Sequence, residues 1–265
     1  DAAMSGANGA QGADSTVFIN VRLIDPASGR DEPGGLLVAD GVIADLGGHL
    51  RRNAPAGAAV VDGQGHILCP GLIDAQVYTG DPGQEHRETL KTASFAAAAG
   101  GVTTIACMPD TEPVIDQVAL VDYVQRRARE RAIVNVSIIA ALTRGLKGEE
   151  LAEIGLLQRA GAVGFSNGKG SIANTRIMRN ALLYSKDFGA LIVHHTEDPG
   201  LSNGAAMNSG EVATRLGLPS VHKAAETIVL ERDVRLVEIT GGRYHASTIS
   251  CAESLAVIRS ARSRK

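Results

Sequence analysis

Residues 67–109 read ILCPGLIDAQVYTGDPGQEHRETLKTASFAAAAGGVTTIACMP, and their periodicity changes twice. Residues 67–78 form an apolar run of strand character. Residues 86–101 are a helical stretch that closes on Gly100 and Gly101, and 102–109 turn apolar and β-rich again. Two strands joined by a helix make a βαβ unit, with parallel strands and a right-handed crossover.

The same alternation continues outward toward the C-terminus. A helix over 116–131 precedes a strand at 135–142 and a helix at 151–161. A strand at 162–167 leads to a helix at 174–188, and one at 190–197 leads through a loop to a long helix near 222–240. A strand at 243–250 and a helix at 251–265 complete six βα units. These strands are continuous apolar runs, as parallel strands covered on both faces are. With four Phe, four Tyr and no Trp, the core must come from Val, Ile, Leu and Ala, which suits a barrel interior lined by branched aliphatics. The expected fold class is α/β, a TIM-type (β/α) barrel with a small N-terminal β domain. A closed barrel of this kind has eight strands. An open barrel, completion by another segment and a shortened chain all stand as readings of the six units.

Toward the N-terminus, residues 17–25 alternate as a strand. Residues 36–46 centre on Asp40-Gly41, a two-residue hairpin signal, and 60–62 keep β character. The expected organisation is a leader or tag remnant over 1–15, a β domain over 16–65, and a barrel over 66–265 that lacks its last two units.

Composition sets the outer bounds. The chain has 265 residues, 44% hydrophobic and 21% charged, with a net charge of −3 and a mean hydropathy of +0.04. That is enough aliphatic surface to exclude disorder. The charge balance excludes a nucleic-acid footprint, and no apolar stretch approaches the roughly 20 residues of a membrane helix. Cys69, Cys107 and Cys251 lie far apart in sequence and suggest no disulfide framework, so a cytoplasmic location is expected.

Residues 62–77, DGQGHILCPGLIDAQV, and 81–116, DPGQEHRETLKTASFAAAAGGVTTIACMPDTEPVID, resemble the dihydroorotase branch of the amidohydrolase superfamily. GAVGFSNGKG, IVHHTEDPGL, MNSGEVATRLGLP and RYHASTISCAES follow in the same order as in that branch. The resemblance covers essentially 17–265. It implies a metal-containing (β/α)8 barrel with a β-sandwich drawn from both chain ends. The reaction it implies is the interconversion of carbamoyl aspartate and dihydroorotate in pyrimidine synthesis.

Taken position by position, the family's functional residues are mostly replaced. The His-x-His pair that ends the first barrel strand stands here as Gln76 and Tyr78. An amide oxygen or a phenol with pKa about 10 is a poor ligand beside neutral imidazole. Gly80 takes the slot of the Arg that grips the substrate carboxylate, and Asp110 replaces a substrate-binding Asn. Asn167 stands where the family has a metal-binding carboxylate, and Thr248 where it has the second, metal-bound His of the sixth strand. His195 is the one family ligand position of the five within this chain that keeps its residue. One imidazole cannot hold Zn²⁺ or lower the pKa of a bound water.

The expected function is therefore that of a degenerate, non-catalytic dihydroorotase-like protein without a cofactor. Aspartate transcarbamoylase is the partner the resemblance implies, and a homo-oligomer is left open; no nucleic acid or membrane is expected. The alternative is an active cyclic amide hydrolase with a weak or rebuilt zinc centre.

Other candidates carry blander readings. His194 and His195 are neighbours on a strand and face opposite ways; His195 reads as an interior hydrogen-bonded group, His66 as a residue before the first barrel strand that hydrogen-bonds backbone, and His245 as a non-ligand on the opposite side of its strand from Thr248. His49, His86 and His222 read as surface or loop residues. Lys169 could bridge two metals only beside imidazoles it lacks, and its Gly-rich surroundings miss the phosphate-loop spacing. Cys107 and Cys251 read as inert thiols. Asp74 and Glu197 are strand carboxylates whose separation the sequence does not give, and the basic helix over 122–132 reads as a solvated face.

Overall fold

The computed structural model describes residues 15–264. The chain divides into two compact units, one ending at Gly71 and the other beginning at Leu72. The leader expected over 1–15 lies outside the described residues except for Ser15, which opens the first strand.

The first unit is a mixed sheet of β1 (Ser15–Asp25), β2 (Arg30–Ala39), β3 (Val42–Gly47), β4 (Ala59–Asp62) and β5 (Ile67–Leu68). β1 pairs antiparallel with β2 and parallel with β4 and β5, and β2 pairs antiparallel with β3. The β2–β3 turn is the Asp40-Gly41 pair, with φ of 52° and 76°. Two central residues in the left-handed region are what a type I′ hairpin requires. Val17, Val21, Leu23 and Leu50 are buried in this unit.

One expectation fails here. The strand expected over 67–78 is two strands, because Pro70 has no N–H to give to a ladder. Ile67–Leu68 pair with β1, and the second unit starts its own strand at Leu72. The division falls after Gly71 rather than after Gly65.

The second unit begins with β6 (Leu72–Val77), α1 (Leu90–Ala99), β7 (Val102–Cys107), α2 (Val118–Arg131), β8 (Asn135–Ala141) and α3 (Ile154–Arg159). It continues with β9 (Ala162–Ser166), α4 (Thr175–Lys186) and β10 (Leu191–His195). The segment expected as a loop instead carries α5 (Pro199–Ser202), β11 (Met207–Asn208), α6 (Glu211–Leu216) and β12 (Ser220–Val221). These pieces are too short for periodicity to register. α7 (Ala224–Thr240), β13 (Arg243–Ser247) and α8 (Ala252–Ser263) follow.

The six long strands form one parallel sheet in the order β6-β7-β8-β9-β10-β13, each strand beside its successor. Ser247 on β13 donates a hydrogen bond to Gln76 Oε1 on β6 at 2.6 Å. The side chains of the two outermost strands therefore meet at their C-terminal ends, and the sheet is curled as in a TIM-type barrel.

Helices cover the sheet through apolar stripes. Met178, Ala181, Leu182 and Ser185 of α4 are buried at spacings of three and four residues. Asn174 caps this helix by accepting the N–H groups of Arg176 and Ile177. They pack on a core that includes Leu90, Ile105, Ile138, Phe165 and Ile192. No helix among the described residues is long and apolar enough to cross a membrane.

One carboxylate of α7 caps the start of α8, and the Lys223–Glu253 and Arg264–Glu238 ion pairs tie the two helices further. Glu226 accepts from the N–H and hydroxyl of Ser250, from the N–H and thiol of Cys251, and from the Ser254 hydroxyl. This is an N-terminal cap supplied by another helix. Glu226→Ala should cost about 1–2 kcal/mol, with amide exchange accelerating over 251–263 and not over α4. Equal acceleration in both helices would show that Glu226 supports the whole unit.

Candidate functional site at the strand ends

The residues singled out from the sequence gather where β6, β7, β9, β10 and β13 end, as sites on this architecture do. Period two along β6 sends Gln76 and Tyr78 to the same side. Gln76 Nε2 donates to the Tyr78 hydroxyl at 2.9 Å, while its Oε1 accepts from Ser247. Both ends of the amide are thus engaged. Burial raises the pKa of half-buried Tyr78, and the nearby Asp110 charge adds to that, against the Gln76 hydrogen bond. The phenol therefore stays protonated at neutral pH.

Gly80 has φ of 68°, and its carbonyl accepts the Gln84 N–H at 2.6 Å in a tight turn. A left-handed turn with no side chain now fills the slot in which the resemblance implies an Arg. The next residue, Asp81, is buried; it accepts the Leu90 N–H at the start of α1 and lies 3.7 Å from Arg127.

Asn167, buried just past β9, is equally committed. Its Oδ1 accepts the Thr143 N–H and hydroxyl at 3.2 and 2.8 Å, and its Nδ2 donates to the Leu146 carbonyl. Asp110 accepts the Lys169 backbone N–H at 3.0 Å on Oδ2, while Oδ1 is buried without a partner. Burial, the dominant influence, raises the Asp110 pKa despite Lys169. The Lys169 ammonium sits 4.5 Å from the centre of the Tyr78 ring, within cation–π range.

His195 ends β10 with Nδ1 2.9 Å from the Thr248 hydroxyl and Nε2 3.7 Å from Glu197. Its side chain is 27% exposed, so it is not the interior group the sequence suggested. Thr248 has φ of 56°, a strained setting for a β-branched residue. The interior imidazole is His194, fully buried, with Nδ1 2.7 Å from Asp233 and Nε2 accepting the Ile172 N–H at 2.8 Å. Arg232 and the Tyr244 hydroxyl also donate to Asp233. This network was missed from the sequence. Its signal is an acid at position 233 within the buried stripe Ala225, Val229, Leu230, Leu236 and Thr240 of α7.

His245 and His66 are exposed. Asp74 accepts the Gln76 N–H and shares no partner with Glu197. Burial pushes the Cys107 thiol up to about 12, so it is no nucleophile.

A catalytic zinc of this family needs about three protein donors and an open position. Among the described residues, no three His, Cys, Asp or Glu side chains converge on a point that could hold a metal. At the positions that would supply donors, Gln76 bonds Tyr78 and Ser247, Asn167 bonds Thr143 and Leu146, and His195 gives only its Nδ1 to Thr248. The donor set does not fit the ion.

Fold and strand-end site together define an α/β barrel of the amidohydrolase type. L-Hydantoinase (dihydropyrimidinase) from Arthrobacter aurescens has the same fold, with a TM-score of 0.80 at 22% identity over 95% of this chain and 56% of its own. A Dihydro-orotase-like family model matches residues 65–254, and the chain belongs to that family. It is 44% identical to the dihydroorotase of Geobacter sp. (strain M21) over 243 residues, covering 92% of this chain and 57% of that protein. It is 41% identical to the dihydroorotase of Syntrophobacter fumaroxidans over 250 residues, covering 94% and 57%. The chain spans a little over half the length of these curated relatives.

Asp110 offers a direct check on the electrostatics of the site. Its folded pKa lies above its unfolded one, so the burial cost is absent below the unfolded value and complete above the folded value. Asp110→Asn should therefore be more stable than the parent at pH 7 by a few tenths to about 1 kcal/mol. The gain should shrink to nothing as pH falls through the carboxylate range, which urea unfolding at several pH values would follow. A less stable variant at pH 7 would mean that the carboxylate is favourably placed.

Proposed function

We propose that this dihydroorotase-family barrel is non-catalytic and serves pyrimidine biosynthesis as a structural partner of aspartate transcarbamoylase. The observation that carries this reading is that, among the described residues, no three His, Cys, Asp or Glu side chains converge on one point, and Gln76, Tyr78, Asn167 and Thr248 stand at the family's ligand positions with hydrogen-bond partners of their own. Gln76 is engaged by Tyr78 and Ser247, Asn167 by Thr143 and Leu146, and His195 by Thr248. A ligand must offer a free lone pair, and a catalytic zinc must keep a position for water. Gly80 adds that no cation is supplied there for an anionic substrate. A scaffolding role needs the outer surface of the barrel and leaves the strand ends without chemical duty.

A second reading is an active cyclic amide hydrolase, acting on carbamoyl aspartate and dihydroorotate through a rebuilt zinc centre. The comparisons taken alone favour it, because relatives 44% identical to this chain carry the name dihydroorotase. It requires donors beyond those that meet at the described strand ends.

Elemental analysis after zinc loading, paired with dihydroorotate hydrolysis, separates the two. The non-catalytic reading expects zinc well below one per chain and turnover at background. It further expects co-purification with aspartate transcarbamoylase. Stoichiometric zinc with chelator-sensitive turnover would overturn it in favour of the hydrolase.

A further inference from the structure

Asparagine followed by glycine places a carboxamide beside the least shielded of backbone nitrogens, because glycine has no side chain to cover it. The pair occurs at 8–9, outside the described residues, and at 167–168 and 203–204 within them. The two described pairs have opposite surroundings. Asn167 is 3% exposed. Its Oδ1 accepts from Thr143, its Nδ2 donates to the Leu146 carbonyl, and the Gly168 N–H donates to Ser166 Oγ at 3.0 Å. Carboxamide and amide nitrogen are both held, so they meet only when this part of the fold opens.

Asn203 and Gly204 are exposed, just past α5 in the connection between β10 and α7. Neither the Asn203 carboxamide nor the Gly204 N–H has a hydrogen-bond partner among the described residues. A Cβ at Gly204 would meet no atom within 4 Å, so the turn stands clear of its surroundings. Asn203 has ψ of 128°, which points the Gly204 nitrogen away from its side chain. Rotation about that one bond brings the two together. The bond that opposes it in the turn runs from the Ala205 N–H to the Ser202 carbonyl, and a single backbone bond exposed to water is weak. Gly204, with φ of 79°, can follow the rotation to either sign of φ.

We propose that Asn203 is a site of spontaneous modification, deamidating through a succinimide while the fold preserves Asn167. The Gly204 nitrogen loses its proton to solvent and bonds to Asn203 Cγ. The Cγ–Nδ2 bond breaks, and Nδ2 leaves as ammonia after taking a proton from solvent. Water then opens the ring. Attack at the Asn203 backbone carbonyl leaves the chain running through the side chain, an isoaspartyl residue, and attack at Cγ leaves aspartate. Either product adds a carboxylate to the connection between β10 and α7, and the isoaspartyl form also adds a carbon to its backbone. The reaction uses water alone and no strand-end residue, so it is independent of zinc content and of the non-catalytic reading.

The test follows both pairs in one sample of the full chain, kept folded at neutral and at mildly alkaline pH, beside a sample unfolded in guanidinium chloride. Peptide mass spectrometry reads the change from amide to acid, and labelled methyl transfer by an isoaspartate methyltransferase reads the isoaspartyl product. In the folded chain the peptide holding 203–204 should convert about tenfold faster, or more, than the one holding 167–168. Its rate should rise with pH, since the attacking nitrogen must first lose a proton. In guanidinium the two rates should converge, because only the shared Asn-Gly sequence is left to set them. Asn203→Gln should remove the isoaspartyl signal of that peptide from the folded chain. The proposal falls if Asn203 stays intact in the folded chain while converting in guanidinium, or if Asn167 converts as fast as Asn203 in the folded chain.

Discussion

The Ser247–Gln76 hydrogen bond joins residues 171 positions apart, and the arrangement of the strand ends follows from it. Parallel strands twist, and in this sheet the outermost two come close enough at one end for a hydroxyl and an amide to meet. A glutamine suits that place because it donates and accepts at once. Its oxygen takes the Ser247 proton while its nitrogen serves Tyr78. Imidazoles at 76 and 78 would need their free nitrogens pointed at a common ion. Gln76, Tyr78 and Ser247 satisfy one another, and one side-chain hydrogen bond links the two outermost strands at their ends.

β10 serves two different purposes on its two sides. His194 faces the helical layer, where Asp233 of α7 takes its Nδ1 proton and the Ile172 N–H occupies Nε2. That arrangement is neutral imidazole, since a proton on Nε2 would oppose the amide. Burial alone would raise the Asp233 pKa, but His194 and Arg232 outweigh it and keep the carboxylate ionised. Arg232 also donates to the Ala173 carbonyl. The segment carrying Gly168 and Lys169 is thereby fixed from outside the sheet, by an acid on an outer helix, before any ligand is considered. Such buried pairs cost more to break than to leave out, so the loop is held in one position.

Much of the fold was legible because its signals are long. Helical stripes such as 178, 181, 182 and 185 and the Asp40-Gly41 hairpin carry their geometry in local pattern. The break at Cys69-Pro70-Gly71 was not seen, because apolar residues on both sides of Pro70 hide a change of sheet. The short elements between Pro199 and Val221 were lost for want of length. At the site, the replaced residues at 76, 78, 80, 110, 167 and 248 could be named from the family resemblance, position by position. Their partners could not, since Ser247, Thr143 and Lys169 come from strands and loops distant in sequence. Neighbouring histidines on a strand face opposite ways in any sheet, yet deciding that 194 and not 195 is the interior one needed the acid contributed by α7.

Identity of fold and identity of chemistry rest on different atoms. The aliphatic stripes and glycine turns of the fold depend on volume and backbone conformation, which tolerate any polar residue at the strand ends that finds a partner. Chemistry at those ends depends on a few lone pairs left deliberately unpartnered and aimed at one point. In this chain Gln76 and Asn167 spend their polar atoms on neighbours, His195 gives Nδ1 to Thr248, and among the described residues Asp81 and Asp110 each keep one buried carboxylate oxygen without a donor. The stability of the fold and the capacity to bind thus make opposite demands on the same strand ends. Gln76 and Asn167 satisfy the first, while Asp81 and Asp110, each with a buried oxygen that accepts no hydrogen bond, do not.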